Sequence, residues 1–265
     1  MIAANDLLLS PGENPMRRDQ LPSRDQLPSR DREEAVLRGW ATVTLDQKID
    51  DASALIRRVL SENGYPACIT SSFQTECMAL LDLVIQQQPN IPVLFLDTGY
   101  HFPETYVYRG QMTERMHLNL VNLASKMPVE EQESRFGILN QTAPDRCCGI
   151  RKVEPLFRGL EEYGIWFTAL RRDQSPTRAN LRTVDPFKLP TGHELLKVSP
   201  LADWTNADVW AYLKRRGIPV LPLYDRGYTS IGCAPCTTPP ADPDNPRSGR
   251  WSGQKLECGI HIQSE

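Results

Sequence analysis

Four of the seven cysteines stand in two tight pairs, Cys147-Cys148 and Cys233-x-x-Cys236, roughly 85 residues apart. Together they can supply four thiolates to one centre, either zinc or an iron–sulfur group, since both accept tetrahedral sulfur. Adjacent cysteines are unusual for zinc, whose paired ligands normally leave about two to four residues between them. A fifth cysteine, Cys258, stands alone in Lys255-Leu-Glu-Cys-Gly-Ile-His261. Cationic neighbours at i−3 and i+3 lower a thiol's pKa, and Gly259 permits a tight turn, so Cys258 has the surroundings of a nucleophile. Cys68 and Cys77 belong to no such pattern and read as small buried hydrophobes.

Three further groups could bind an anion. Thr70-Ser71-Ser72-Phe73-Gln74-Thr75-Glu76 joins an expected strand to an expected helix. There the free N–H groups of the helix start and the serine hydroxyls suit phosphate or sulfate, although Ser and Thr also serve as ordinary caps. Leu96-Asp97-Thr98-Gly99 follows a second buried strand, where Gly99 lets the backbone approach a ligand and Asp97 or Thr98 can hydrogen-bond it. The basic residues Arg151, Lys152, Arg171, Arg172, Arg178, Arg247 and Arg250 supply charge, and guanidinium groups clasp phosphate-like oxygens bidentately.

These residues need a frame. Ile49, Ala52, Ile56, Val59 and Leu60 recur at helical spacing before the stop Asn63-Gly64. Strands are expected over 66–70, 91–96, 117–123, 165–170 and 195–198. Helices are expected over 75–88, from Pro103, over 153–163, and from the cap Thr205 to Arg216. The alternation implies an α/β fold with a mostly parallel sheet flanked by helices. Residues 46–236 form the expected nucleotide-binding and metal domain. Residues 237–265, with Pro239, Pro240, Pro243 and Pro246, form a mobile tail carrying Cys258. Residues 1–45 are a loosely ordered extension, since the repeat Arg-Asp-Gln-Leu-Pro-Ser at Arg18 and Arg24 carries prolines and mixed charge; a partner-binding arm is the other reading.

At 265 residues the chain can bury one substantial core, and its net charge of −3 argues against general nucleic-acid binding. No apolar stretch is long enough to span a bilayer, and Met1–Pro15 lacks the basic start of a secretory signal. A cytoplasmic location is expected, where paired cysteines read as metal ligands or redox groups rather than disulfides.

Taken together, from about Tyr65 to His261, the motifs resemble the reductases of adenylylated sulfate. They are closest in pattern to the bacterial assimilatory adenosine 5′-phosphosulfate (APS) reductases. The resemblance rests on the serine-rich loop, Leu-Asp-Thr-Gly, Cys-Cys-Gly-Ile-Arg-Lys-Val-Glu-Pro-Leu, Arg-Arg-Asp-Gln-Ser, Cys-x-x-Cys and Glu-Cys-Gly-Ile-His, in that order. It implies a fold related to the nucleotide α hydrolases. It also implies a 4Fe–4S cluster on Cys147, Cys148, Cys233 and Cys236, with Cys258 as the nucleophile. Ser71, Ser72, Gln74, Asp97, Thr98, Gly99, Lys152, Arg171, Arg178, Arg247, Arg250 and His261 are the implied substrate contacts. Because reductases of the 3′-phosphorylated substrate (PAPS) typically lack the paired cysteines, the implied substrate is APS.

The implied reaction has two thiol steps, with thioredoxin or glutaredoxin as dithiol reductant and sulfite and AMP as products. Three rivals remain at this point: a PAPS reductase, an ATP pyrophosphatase-type enzyme with structural zinc, and a non-enzymatic iron–sulfur redox sensor.

Overall fold

A computed structural model describes residues 43–261, apart from 243, 244, 254 and 256; the N-terminal repeat lies outside the described residues. Helix α1 (Leu45–Asn63) begins with a reciprocal capping box between Thr44 and Gln47. It ends at Gly64, whose φ of 61° is the left-handed conformation that glycine adopts without strain. Strand β1 (Ala67–Thr70) is followed by α2 (Thr75–Ile85), β2 (Pro92–Asp97), α3 (Pro103–Arg115) and β3 (Asn119–Ala124). Three short helices follow: α4 (Val129–Phe136), α5 (Leu139–Thr142) and α6 (Pro144–Cys148). A π-helical turn (Gly149–Val153) leads from the paired cysteines into α7 (Glu154–Leu160). Strands β4 (Ile165–Phe167), β5 (Val184–Lys188) and β6 (Glu194–Val198) and helix α8 (Asn206–Arg216) complete the elements.

The strands form one six-stranded sheet in the order β3-β2-β1-β4-β6-β5, parallel except for β5, which pairs antiparallel with β6. Side chains alternate between its faces, as strand geometry requires. Ile69, Val93, Phe95, Ile165 and Phe167 enter the larger core with α1, α2, α3 and α8. Cys68, Leu94, Trp166 and Leu195 face α7 and Phe187 on the other side. The mostly parallel α/β architecture expected from the sequence is therefore present.

Several elements differ from expectation. β5 was not foreseen, because Pro186 interrupts a half-polar run; the sheet tolerates it because β5 is an edge strand. α4 was also unforeseen. Strand β4 stops at Phe167, since Thr168 to Leu170 turn away to line a cavity. The described residues of the tail include a bridge between Thr237 and Arg250 and a 3-10 turn at Trp251–Gly253. It lies folded against the sheet edge, with Arg250 and Trp251 buried.

Candidate active site

The strand order reverses direction at β1, between β2 and β4, and ligands in open α/β sheets bind beyond the carboxyl ends of strands at such a point. Here an open cavity lies over the ends of β1, β2 and β4. The loop after β1 forms one wall. Ser71 N donates to Leu94 O, and Ser71 Oγ accepts from Phe73 N at 3.1 Å. Phe73 is buried with a positive φ of 59°, a strained turn that delivers the chain to the start of α2. Gln74 is fixed at both ends of its amide: Nε2 donates to Ser72 Oγ, and Oε1 accepts from Ile231 N at 2.8 Å.

The opposite wall is cationic. Lys152, Arg178, Arg247 and Arg250 all line the cavity. Burial works against the charge of Lys152, but the thiolates of Cys233, Cys258 and Cys148 outweigh it and hold its pKa above the ordinary lysine value. Burial lowers Arg247 and Arg250 from the usual arginine value. The tail closes the third side. Cys258 and His261 both line the cavity, so the lone cysteine of the tail and the cations share one chamber. His261 is held well below the usual imidazole range by burial and by Lys197, Arg178 and Arg247, so it is neutral.

Behind this chamber lies a smaller one, lined by Cys147, Cys148, Cys233 and Cys236. The π turn follows the tandem cysteines directly, and such turns mark functional sites in helices. It sends Arg151 back to donate to Thr98 O, while Lys152 reaches the main cavity. Cys233 is carried in from the far end of the chain by a bridge to His101. The Thr98 hydroxyl lies 3.3 Å from Cys233 Sγ.

All seven cysteines are free thiols. Among the described residues, no group of three or more Cys, His, Asp or Glu side chains is gathered tightly enough for a single ion. Four thiolates can bind either zinc or an iron–sulfur group, and all four cysteines line this one small volume. Its wall includes Trp251, whose buried Nε1 has no hydrogen-bond partner among the described residues. Burial raises the Cys147 thiol and pushes Cys236 up to about 11, so these side chains favour the neutral thiol until a metal draws off the proton. Thr98, Lys152 and Trp251 line both chambers and form the partition between them.

Residues 66–239 match the phosphoadenosine phosphosulfate reductase domain. The chain belongs to that family. A relative from Geobacillus kaustophilus called adenosine 5′-phosphosulfate reductase is 42% identical over 220 residues, covering 82% of this chain and 92% of its own. Its namesake from Streptomyces coelicolor is 41% identical over 219 residues, covering 81% and 91%. A phosphoadenosine 5′-phosphosulfate reductase from Gloeobacter violaceus is 43% identical over 203 residues, covering 75% and 83%. Among solved structures, the phosphoadenylyl-sulfate reductase of Candida auris superposes with a TM-score of 0.59 at 25% identity, covering 74% of this chain and 98% of its own. The FMN adenylyltransferase of Candida glabrata shares the fold, with a TM-score of 0.57 at 17% identity, covering 74% of this chain and 64% of that one.

Within this family member, the residues anticipated from sequence separate into two groups. Ser71, Ser72, Gln74, Thr98, Lys152 and Arg178 line the main cavity, as do Arg247, Arg250, Cys258 and His261. Asp97, Gly99 and Arg171 do not. Asp97 accepts from the Tyr106 hydroxyl and the Gly99 amide, so it shapes the loop. Gly99, at φ 73°, leaves room for the Val129 side chain and Arg151. Arg171 is buried and occupied with Asp173 and the Trp204 carbonyl.

Sequence reasoning passed over Thr168, Gln174, Trp251 and Glu257, which also line the cavity. Cys77 does too, its thiol pushed up to about 11 by burial and by Glu76, and lying 3.4 Å from Ser72 Oγ. Gln174 and Glu257 carried a signal, their places in the Arg-Arg-Asp-Gln-Ser and Glu-Cys-Gly-Ile-His motifs.

Proposed function

We propose that this chain reduces adenosine 5′-phosphosulfate to sulfite and AMP through an S-sulfocysteine on Cys258. The observation that carries the reading is that Cys258 shares one cavity with Lys152, Arg247 and Arg250. The APS reductases among its relatives, matched over most of their length, support the substrate. The nucleotide phosphate rests on the loop of Ser71, Ser72 and Gln74, and the sulfate faces the cations.

The Cys258 thiolate attacks the sulfate sulfur. The bond from sulfur to the bridging oxygen breaks, and its electron pair leaves on the AMP phosphate. Lys152 and the two arginines offset the charge that develops on the sulfonyl and phosphate oxygens. A thiolate of an external dithiol, thioredoxin or glutaredoxin, then attacks Cys258 Sγ and expels sulfite with the bonding electron pair. The second thiol resolves the mixed disulfide, returning Cys258 and leaving the donor as a disulfide. Thiols supply both electrons. His261, neutral, neither donates positive charge nor needs a counter-ion, and serves as a wall beside the nucleophile.

Cys147, Cys148, Cys233 and Cys236 would hold a 4Fe–4S cluster. When bound, it would supply polarisation next to Lys152 rather than reducing equivalents. No described helix is long and apolar enough to cross a membrane, which accords with a cytoplasmic enzyme.

The test is direct. Incubating Cys258→Ser with substrate labelled in its sulfur should give no labelled protein and no sulfite, whereas normal sulfite production would overturn the assignment. PAPS is the second reading, because one relative of comparable identity bears that name. Turnover of both nucleotides by anaerobically purified protein separates the two.

A further inference from the structure

Glu257, the residue immediately before the nucleophile, is bound on three sides inside the chamber. Its two oxygens accept a forked pair of bonds from Arg178, Nε to Oε1 at 2.9 Å and Nη2 to Oε2 at 2.7 Å. Thr177 Oγ1 donates at 3.2 Å, and Arg247 Nη2 stands 3.9 Å from Oε2. Both Glu257 and Arg178 side chains are only 13% exposed. A pair this enclosed differs from a surface ion pair, because removing one member leaves an uncompensated charge away from water. Arg178 is itself held by Gln174, which donates at 2.9 Å to Glu76 at the start of α2. The tail is thereby tied to the helix start expected to receive the phosphate.

On the other side of Cys258, Gly259 turns the chain at φ 91°. His261 is then seated on Trp166, with its carbonyl accepting from Lys197 at 3.1 Å. Cys258 is thus strung between two fastenings, one residue before it and three after. Consecutive Cα atoms are only about 3.8 Å apart, so the seat of Glu257 fixes where the thiol can be.

We propose that Glu257 is a positioning residue: its fork on Arg178 holds the tail closed and aims the Cys258 thiol during sulfur capture. This rests on the reaction assigned above. It makes the two half-reactions unequal, because capture needs the closed tail, whereas the incoming dithiol needs it open. Breaking the fork should therefore slow the first and spare the second.

The experiment uses Glu257→Gln in the full-length holoenzyme. One readout is the alkylation rate of Cys258 by iodoacetamide, taken at the high-pH plateau so that thiol ionisation is equal in both proteins. The other is a single turnover, following S-sulfocysteine formation by mass and then sulfite release on adding dithiol. Alkylation should accelerate and capture should slow, each about tenfold or more, equivalent to ~1.4 kcal/mol of lost closure. Release from the preformed intermediate should stay at the wild-type rate. Wild-type capture, or capture and release slowed alike, overturns the proposal. If the wild-type enzyme forms no S-sulfocysteine, the assigned reaction fails instead, and unchanged alkylation then overturns the positioning role. Should Glu257→Gln fail to fold, Arg178→Lys keeps the charge but loses the fork, and the same rates decide.

Discussion

The imidazole of His261 lies almost parallel to the indole of Trp166, with 5.4 Å between centroids and 16° between planes. Trp166 is fully buried in β4, and its Nε1 donates to Thr70 Oγ1 at 2.9 Å, so the platform is rigid. Aromatic pairs contribute about 0.5–1.5 kcal/mol beyond their area. His261→Ala should therefore cost about two- to twelvefold in kcat/KM, measured by sulfite release. Since His261 is neutral well below its ordinary range, it contributes no titration near neutrality. Its replacement by Gln should leave the pH profile unchanged in shape from about pH 6 to 8.

The thiol chamber makes a prediction about protons. Burial raises Cys147 and pushes Cys236 up to about 11, so without metal these groups are protonated at neutral pH. Loading must release those protons, and acid must compete with it. Anaerobic protein should carry about four iron and four sulfide per chain, losing them progressively as pH falls. Cys236→Ala should lose the colour at neutral pH.

Lys197 offers a stability test. It is buried on β6 beside the rings of Trp166 and Phe187, and burial lowers its pKa to about 8, with Arg178 adding to the effect and Asp185 and Glu257 opposing it. Its native value lies below the unfolded one, so the unfolded chain binds more protons between the two. Its contribution to stability is therefore unfavourable below about 8 and is relieved as pH rises towards 10.5. Lys197→Met should remove that rise in denaturation curves taken across this range, while freeing the His261 carbonyl and speeding Cys258 alkylation.

Gly249 is a steric test of the tail. A Cβ there would run into the Thr238 carbonyl oxygen and lie 2.9 Å from that of Pro239, both backbone atoms that cannot swing aside. Gly249→Ala should break the pairing of Thr237 with Arg250 and displace Arg250 and Trp251. A stability loss of about 1–3 kcal/mol is expected, read from urea denaturation, together with reduced activity.

What could be read from the sequence was what local chemistry determines. Helix α8 announces itself by the Thr205 cap and the left-handed Gly217, both within a few residues of the helix. The paired cysteines were visible as pairs. That they surround one volume depends on the bridge from His101 to Cys233 and on the π turn, neither of which has a local pattern. β5 was hidden by Pro186, since its place at the sheet edge is a tertiary fact. Glu257 went unread for the same reason: its partner Arg178 lies 79 residues away, and a lone carboxylate before a cysteine does not indicate what it will bind. The partners of Arg171, Asp173 and the Trp204 carbonyl, were equally hidden, since the latter lies 33 residues away.

The sheet also has a second edge. The reaction chamber is lined from the carboxyl ends of β1, β2 and β4, from the loops and helix starts that follow them, from the π turn at Lys152 and from the tail. The hairpin joining β5 to β6 turns at Gly192, φ 94°, beside Tyr65 and Gly164 where β1 and β4 begin. That rim is a neutral handle. A peptide tag or fluorophore inserted between Thr191 and Gly192 would stand a full strand length from the chemistry, and loop tips tolerate such additions best. The protein could thus be tethered to a surface by that turn, with its mouth facing solution and its tail free to meet a reductant.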